Sequence, residues 1–343
     1  MDTSNKWGET LTSGFELRRE IDRINRAGTI AARQKETKEQ ARKLFAEALE
    51  KDVYACQDDW DLLAESPRAF RARVQLRNLL RLRMAPMARD AKVFNAEYVV
   101  PEDWTPKIFV YWGQGFENAP EIVRFCHAEL HRLHNADDIV VLTDENLSDW
   151  VELPPGLREM LGDNRTAFSD VLRFELLAKH GGIWIDATCL PTVRLQDHFD
   201  ELVGEAGFFA FETKEKTISS WFLASRPGHY LTHLVRDSLR LYWRVFDRPV
   251  TYFYLHFIFQ LVHMLDRRSD RIWSKVPRPA YDPRTFGRVL KRRAEDVDAE
   301  KIVSASIVHK LSYKPDPADV GPGTVFHELV HGSFLSTSQN TAS

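Results

Sequence analysis

The sequence predicts an α/β fold in which a mainly parallel sheet is flanked by helices and preceded by a helical region. Three observations carry this prediction: a long stretch almost without glycine, apolar strand-like runs that alternate with helical segments, and two glycines between a helix and a buried strand. We divide the 343 residues into a helical N-terminal region (1–98), an α/β domain (99–335) and a disordered tail (336–343).

The composition is that of an ordinary globular protein and excludes several classes of function. Apolar residues make up 43% and charged residues 28% of the chain. The net charge of −3 gives no global basic field, so we expect no nucleic-acid partner. The three cysteines are widely spaced and fit neither a zinc site nor a disulfide framework. Without a secretory signal or a long apolar run, we expect a cytoplasmic location.

The N-terminal region is rich in helix-forming residues over 15–95. Ser66–Pro67 predicts a helix start, and Pro86 is expected to end or kink that helix. The segment 68–92 is strongly basic, and part of it forms an i, i+4 row of Arg73, Arg77 and Arg81. This row is either a solvated face paired with acids elsewhere or a surface for an anionic polymer or lipid. The second interpretation predicts peripheral contact with the inner membrane face.

Strands and helices alternate through the α/β domain. The predicted strands are Lys107–Tyr111, Ile139–Thr143, Ile183–Ile185, Gly207–Phe211, Trp221–Ser225 and a late strand over Ile302–Val308. The predicted helices run from Ala119–Pro120 to about His134, over Tyr230–Val245 and over Tyr252–Leu265, and Ser269–Arg293 is predicted as loop or surface. Ligands of such sheets bind beyond the carboxyl ends of the strands, where Trp112, Asp144 and Asp186 are expected.

One predicted helix carries an acid and a base on the same face. Asp170 and Arg173 are three residues apart, and Gly181 is expected to end the helix in a left-handed conformation. A carboxylate that accepts and a guanidinium that donates hydrogen bonds suit the hydroxyl groups of a sugar. The alternative is an ordinary ion pair on a helix surface.

Asp186 directly follows the short apolar strand Ile183–Ile185. A carboxylate at this place can coordinate Mg²⁺ or Mn²⁺ bridging a diphosphate, because hard cations prefer oxygen ligands. The alternative is an aspartate that caps the following turn. Thr188 offers only a hydroxyl, which is a weaker ligand than a carboxylate.

Four segments resemble a known family. The run S-D-V-L-R-F-E-L-L-A-K-H-G-G-I-W-I-D-A-T resembles the core of the "DxD" sugar-transferring proteins of glycosyltransferase family 32, especially their capsular polysaccharide synthesis branch. The segments P-K-I-F-V-Y-W-G, W-F-L-A-S-R-P-G-H and V-H-K-L-S-Y-K are also similar to that branch. The resemblance covers roughly 106–326 and is strongest over 168–193.

The resemblance implies a GT-A fold for 99–335 and a retaining hexosyltransferase that uses a nucleotide-sugar donor, a UDP-sugar in our prediction, and a divalent metal. By the same resemblance, Trp112 stacks on the donor base and Asp170 and Arg173 hold the donor sugar. Asp186 takes the first DxD position, near the ribose and the metal.

The sequence departs from the DxD pattern at Thr188, which replaces the second acid. We predict Asp186 and His309 as ligands of Mn²⁺ or Mg²⁺, with metal dependence in question because of this replacement. Lys310 and Lys314 are predicted to neutralise donor phosphate.

The leading prediction is therefore a glycosyltransferase of capsular or surface polysaccharide biosynthesis that acts on a saccharide or polyol-type acceptor. One alternative is a phosphatase or phosphotransferase of the haloacid dehalogenase type with Asp186 as nucleophile, although Leu190 stands where that loop requires Thr or Val. Another is a degenerate, non-catalytic transferase that serves as a scaffold.

Overall fold

The structure is a computed structural model that describes residues 67–213, 217–249, 252–332 and 334, with the backbone alone at 67–75 and 317. The strands are β1 (Ile108–Tyr111), β2 (Ile139–Leu142), β3 (Gly182–Asp186), β4 (Cys189–Pro191), β5 (Phe208–Glu212), β6 (Ile218–Ser225) and β7 (Val308–Lys310). Five of them form the main sheet in the order β2-β1-β3-β6-β5, and β4 pairs with β7 in a second, two-stranded sheet.

The α/β prediction is confirmed, with one strand of the main sheet reversed. β1 pairs in parallel with β2 and β3, whereas β6 runs antiparallel to both β3 and β5. The other four strands therefore point the same way, and helices flank the sheet, as in a GT-A-like fold. Three carboxyl ends consequently lie side by side at one edge of the sheet, which is where ligands of such sheets bind.

Helices account for most of the remaining described chain. They are α1 (Pro67–Glu97), α2 (Glu121–Leu133), α3 (Leu147–Trp150), α4 (Leu157–Leu161), α5 (Arg165–His180), α6 (Phe199–Val203), α7 (Tyr230–Val245), α8 (Tyr254–Leu265), α9 (Arg267–Ser274), α10 (Thr285–Val289), α11 (Ala299–Ser304) and α12 (Val325–Val330). The helices predicted before His134, over Tyr230–Val245 and over Tyr252–Leu265 are confirmed as α2, α7 and α8. No described helix combines the length and the apolar character that a membrane span requires.

The late strand predicted over Ile302–Val308 is wrong for most of its length. The chain is helical there until Ser304, because the Asp298 carboxylate accepts a hydrogen bond from the Lys301 amide and caps α11. The strand begins only at Val308 and extends to Lys310.

The loop predicted over Ser269–Arg293 is also wrong in part, since it contains most of α9 and all of α10. The Asp266 carboxylate accepts from the Ser269 amide at 2.7 Å and caps α9. Trp273 and Phe286 each bury a large ring in the core. These two anchors fold an Arg- and Pro-rich segment that has little apolar periodicity.

Helix α1 begins at Pro67 as predicted but continues through Pro86 to Glu97. It packs against α7 and α8, and its buried residues include Leu76, Leu80, Met84 and Ala91. Arg83, Arg89 and Lys92 are exposed on the other side. Contact of 68–92 with anionic lipid stays a prediction. The predicted helices before Pro67 and the tail 336–343 lie outside the described residues.

Helix α5 is buried along most of its length, which fixes the side chains that it carries. Gly181 ends it with a φ of 66° and a ψ of −157°, a positive φ but not the left-handed helical conformation expected from the sequence. A Cβ at Gly182, where φ is 91°, would lie 2.4 Å from the Lys107 carbonyl oxygen. Arg240 binds Glu175 in a bidentate pair, with N–O distances of 2.6 and 2.7 Å. Helix α5 is thus anchored both to the sheet and to α7.

Candidate functional site

Three predicted site residues meet at the carboxyl end of β3. The Arg173 guanidinium lies 2.9 Å from the Asp170 carboxylate and 3.5 Å from the Asp186 carboxylate. It also donates a hydrogen bond of 3.0 Å to the Ser169 hydroxyl. Arg173 therefore bridges a carboxylate of helix α5 and a carboxylate at a strand end.

Asp170 and Arg173 do not form an ordinary ion pair on a helix surface, which was the alternative interpretation of the sequence. Their side chains are only 6% and 4% exposed. Burial raises the pKa of Asp170 to about 7, and Asp186 adds to the rise, although the attraction of Arg173 opposes it. Such a buried pair costs desolvation energy, which is a common property of functional sites.

Asp186 lies at the boundary between this buried pair and solvent. Its side chain is 27% exposed and accepts hydrogen bonds from the Trp184 indole at 3.0 Å and from the Lys310 ammonium at 2.9 Å. Burial alone would raise the pKa of Asp186, but Lys310 and Arg173 outweigh it and the pKa is lowered. The carboxylate is therefore charged and already neutralised by two cations.

Lys310 reaches Asp186 from a distant part of the sequence. The pairing of β4 with β7 sets Cys189 opposite Lys310, just after the turn that follows β3. The Lys310 ammonium also donates to the Thr188 hydroxyl at 2.7 Å. Burial would lower the pKa of Lys310, but the nearby Asp186 carboxylate outweighs it and the pKa is raised. The ammonium therefore lies between the two side chains at the DxD-like positions.

His309 is not brought to Asp186, contrary to the predicted pair of metal ligands. Adjacent strand residues point to opposite faces, and Lys310 takes the face towards Asp186. The His309 ring is fully buried, packs edge-on to Phe286 at 5.3 Å and lies 3.0 Å from the Val303 carbonyl oxygen. Among the described residues, no three His, Cys, Asp or Glu side chains cluster as a metal site would require.

Trp112 lies next to this cluster at the end of β1. Tyr111 is the register partner of both Asp186 and Leu142, so Trp112 extends beyond the sheet between β2 and β3. Its half-buried ring packs edge-on to Tyr313 at 5.7 Å. Lys314 follows in the same exposed loop, with its ammonium 5.9 Å from the centre of the Tyr313 ring. The structure thus places Trp112 and Lys314 around the same sheet edge, although neither has a described contact with Asp186.

A second charged cluster forms around Asp144, just beyond the end of β2. The Asp144 carboxylate accepts hydrogen bonds from Tyr111 at 2.6 Å and from Arg158 and Arg165 at 2.5 Å each. Burial would raise the pKa of Asp144, but these three donors outweigh it and the pKa is lowered. A Cβ at Gly113 would meet the Arg165 guanidinium, so a larger residue there would require the side chains of this cluster to shift.

The sequence identified Asp144 as a strand-end residue but missed its two arginines. Arg158 and Arg165 belong to α4 and α5, and nothing in their spacing pairs them with a strand end. The sequence also missed that the Trp184 indole, two residues before Asp186, would donate to that carboxylate. A polar aromatic residue inside an otherwise aliphatic strand was the available signal for the second contact.

An open cavity of about 630 Å³ lies beside the ends of β1 and β2. Its lining includes the loop of Gly113, Gln114 and Gly115, together with Thr143 and Asp144. Trp112 is the chain neighbour of this loop rather than part of the lining. The volume is in the range of sites that hold small molecules or nucleosides.

Comparison with known proteins identifies one family. The family model described as "Capsular polysaccharide synthesis protein" matches residues 86–329, more than two thirds of the chain. The matched region contains the whole main sheet, both charged clusters and the β4–β7 pair. No curated protein and no solved structure matches the chain significantly.

Proposed function

The chain belongs to the family of capsular polysaccharide synthesis proteins, and from this premise we propose that it is a glycosyltransferase that moves a sugar from a nucleotide-sugar donor to a saccharide or polyol-type acceptor. A transferase role in capsule synthesis follows from the family. The meeting of Asp170, Arg173 and Asp186 at the end of β3 is the observation that carries the finer proposal.

Asp170 and Arg173 are suited to hold the donor sugar. A carboxyl group accepts hydrogen bonds from hydroxyls, and a guanidinium donates them in a fixed planar arrangement. Both side chains are held by burial and by the rigid helix α5, so they need little reorganisation when a sugar binds. Their role is to orient the anomeric carbon towards the acceptor hydroxyl.

The nucleotide part of the donor belongs, in this proposal, to the cavity beside β1 and β2. The cavity lies at the edge where β1 is flanked by β2 and by β3, so a nucleoside there can extend its diphosphate towards Asp186. Trp112 provides an aromatic face at the border of the two regions. A uridine nucleotide is the donor that we propose.

Transfer with retention of configuration completes the proposal. The departing diphosphate develops negative charge, and the guanidinium of Arg173 at the end of β3 can stabilise it. We propose front-face attack, in which the leaving phosphate takes the proton of the acceptor hydroxyl. The anomeric carbon then keeps its configuration.

The direct test is the variant Asp186→Asn, with release of nucleoside diphosphate measured over a panel of nucleotide-sugars. We expect turnover to fall about 100-fold or more, because the variant disturbs the charge balance around Arg173 and Lys310. Asp319→Asn is the matched control, since Asp319 pairs with Lys291 at an exposed position. Unchanged turnover in Asp186→Asn would refute the role of this residue.

The same measurements separate the two alternative functions. Release of phosphate from a generic phosphoester, lost in Asp186→Asn, would support a phosphatase of the dehalogenase type. Binding of nucleoside diphosphates without turnover of any donor would support a non-catalytic scaffold.

A further inference from the structure

The residues at the DxD-like positions do not fit a divalent cation. The Asp186 carboxylate already accepts from Trp184 on one oxygen and from Lys310 on the other. Thr188 contributes a hydroxyl in place of a second acid, and that hydroxyl also binds the Lys310 ammonium. His309, the predicted further ligand, lies on the other face of β7. The Lys310 ammonium therefore already occupies the space between the Asp186 and Thr188 side chains, where a metal ion would bind.

Electrostatics oppose the addition of a metal to this arrangement. Arg173 and Lys310 carry two positive charges, and Asp170 and Asp186 carry at most two negative charges. A divalent ion on Asp186 would stand beside the Lys310 ammonium, and the two like charges would repel each other strongly in this largely buried site. Metal binding would require Lys310 to leave both of its partners.

We propose that Lys310, supported by Arg173, takes the place of the divalent cation and binds the donor diphosphate directly, so that donor binding requires no metal. This inference rests on the proposed function for the nature of the ligand. The role of Lys310 is to bind the diphosphate and to compensate the charge that grows on it as it leaves.

The position of Lys310 suits this role better than that of Arg173. The Lys310 side chain is 23% exposed, whereas Arg173 is 4% exposed. An ammonium has three donors, and the two hydrogen bonds to Asp186 and Thr188 leave one for a phosphate oxygen. Asp186 then acts as a positioning residue that keeps the ammonium in place.

The first experiment needs no variant. Titration calorimetry measures the affinity of the intact protein for inorganic pyrophosphate in EDTA, and for a panel of nucleoside diphosphates in EDTA and in Mn²⁺. We expect pyrophosphate to bind in EDTA, and at least one nucleoside diphosphate to bind with affinities that agree within about threefold between EDTA and Mn²⁺ (about 0.65 kcal/mol). An affinity that rises tenfold or more with Mn²⁺ would overturn the proposal.

Variants then test Lys310 itself. Lys310→Met should weaken pyrophosphate binding in EDTA at least tenfold, whereas Lys310→Arg, which keeps the charge, should stay within a few-fold of the parent. Lys291→Met is the matched control, because Lys291 forms a similar Lys–Asp pair with Asp319 at an exposed position. Far-UV circular dichroism and melting curves establish that each variant is folded.

A double variant sharpens the test by restoring an acid at Thr188, the second DxD-like position. Thr188→Asp combined with Lys310→Met supplies two acids and removes the resident cation, so nucleoside diphosphate binding should return only when Mn²⁺ is present. Unchanged pyrophosphate affinity in Lys310→Met would overturn the proposal.

The outcomes for the two ligands separate this inference from the proposed function. Pyrophosphate binding that depends on Lys310, without binding of any nucleoside diphosphate, would support the phosphate site and contradict a nucleotide-sugar donor. Failure of both pyrophosphate and nucleoside diphosphates to bind would overturn the phosphate site as well.

Discussion

Asp144 and Asp186 both lie near the carboxyl ends of parallel strands of the same sheet, yet they are held in different ways. Asp186 is the last residue of β3 and Asp144 lies two residues beyond β2, and each carboxylate accepts from one aromatic donor and faces two cationic side chains. The donors are Tyr111, Arg158 and Arg165 for Asp144, and Trp184, Arg173 and Lys310 for Asp186. The chemistry of the two clusters is thus nearly the same.

Sequence distance and burial separate the two clusters. The partners of Asp144 lie within 33 residues of it, and its arginines are more than a third exposed. Lys310 is 124 residues from Asp186, and the bridging Arg173 is buried. The Asp144 cluster can assemble from neighbouring elements, whereas the Asp186 cluster requires the β4–β7 pair. The first cluster is thus held by local contacts near the surface, whereas we propose that the second binds the donor sugar and diphosphate.

The largest difference is expected when the arginine of each cluster is changed to methionine. Arg173→Met should lower the free energy of unfolding by about 1–3 kcal/mol, because the buried Asp170 carboxyl loses its hydrogen-bonding cation and becomes protonated. Urea unfolding measures the loss. The loss in the double variant Asp170→Asn with Arg173→Met should be smaller than the sum of the two single losses, since the two side chains are direct partners. A loss below about 1 kcal/mol in Arg173→Met would contradict the buried geometry.

An effect of intermediate size is expected in the pH dependence of stability. Rising pH should lower the stability contributed by Asp170 but raise that contributed by Asp144. Asp170 has a pKa of about 7 in the folded protein against 3.8 ordinarily, so the folded state holds the extra proton between these values. Its contribution to stability is therefore lost as the pH rises towards 7. For Asp144 the pKa is lowered, and its contribution is lost as the pH falls through the folded value.

The variant Asp170→Asn tests this sign. The free energy of unfolding of the parent, minus that of the variant, should decrease by up to about 1.4 kcal/mol per pH unit between pH 5 and 7 and level off above. Arg173, Asp186 and Tyr254 are the ionisable groups that act on Asp170, and all three remain in the variant. A difference that stays constant from pH 5 to 8 would show that Asp170 is ionised throughout.

The smallest effect is expected at the Asp144 cluster. Arg165→Met should lower the free energy of unfolding by about 1 kcal/mol or less, because the pair is partly exposed and Asp144 keeps Arg158 and Tyr111. The same urea unfolding experiment measures it. A loss as large as that of Arg173→Met would remove the distinction between the two clusters.

The sequence predicted those parts of the molecule that depend on local pattern. Apolar runs located β1, β3 and β6, helical periodicity located α7 over its full range, and the spacing of three residues placed Asp170 and Arg173 together. The helix α11 was mistaken for a strand because Ile302 and Val303 have high strand propensity, whereas the cap at Asp298 decided the outcome.

Contacts between distant segments were beyond such reasoning. Lys310 was predicted to bind phosphate, but its pairing with Asp186 depends on the register of β4 with β7. The same register turned His309 away from Asp186, because a shift of one residue exchanges the two faces of a strand. The register between two strands that lie more than a hundred residues apart leaves no signal in the local sequence.

The two-stranded β4–β7 pair has a consequence for how such a protein can diversify. This pair lies outside the main sheet. Its second strand has only three residues, lies late in the chain and carries Lys310, whose ammonium reaches the site. Insertion or deletion of a single residue before β7 would exchange lysine for a neighbouring side chain at the site while leaving the five-stranded scaffold intact. The charge presented to a ligand can thus change independently of the architecture that supports it.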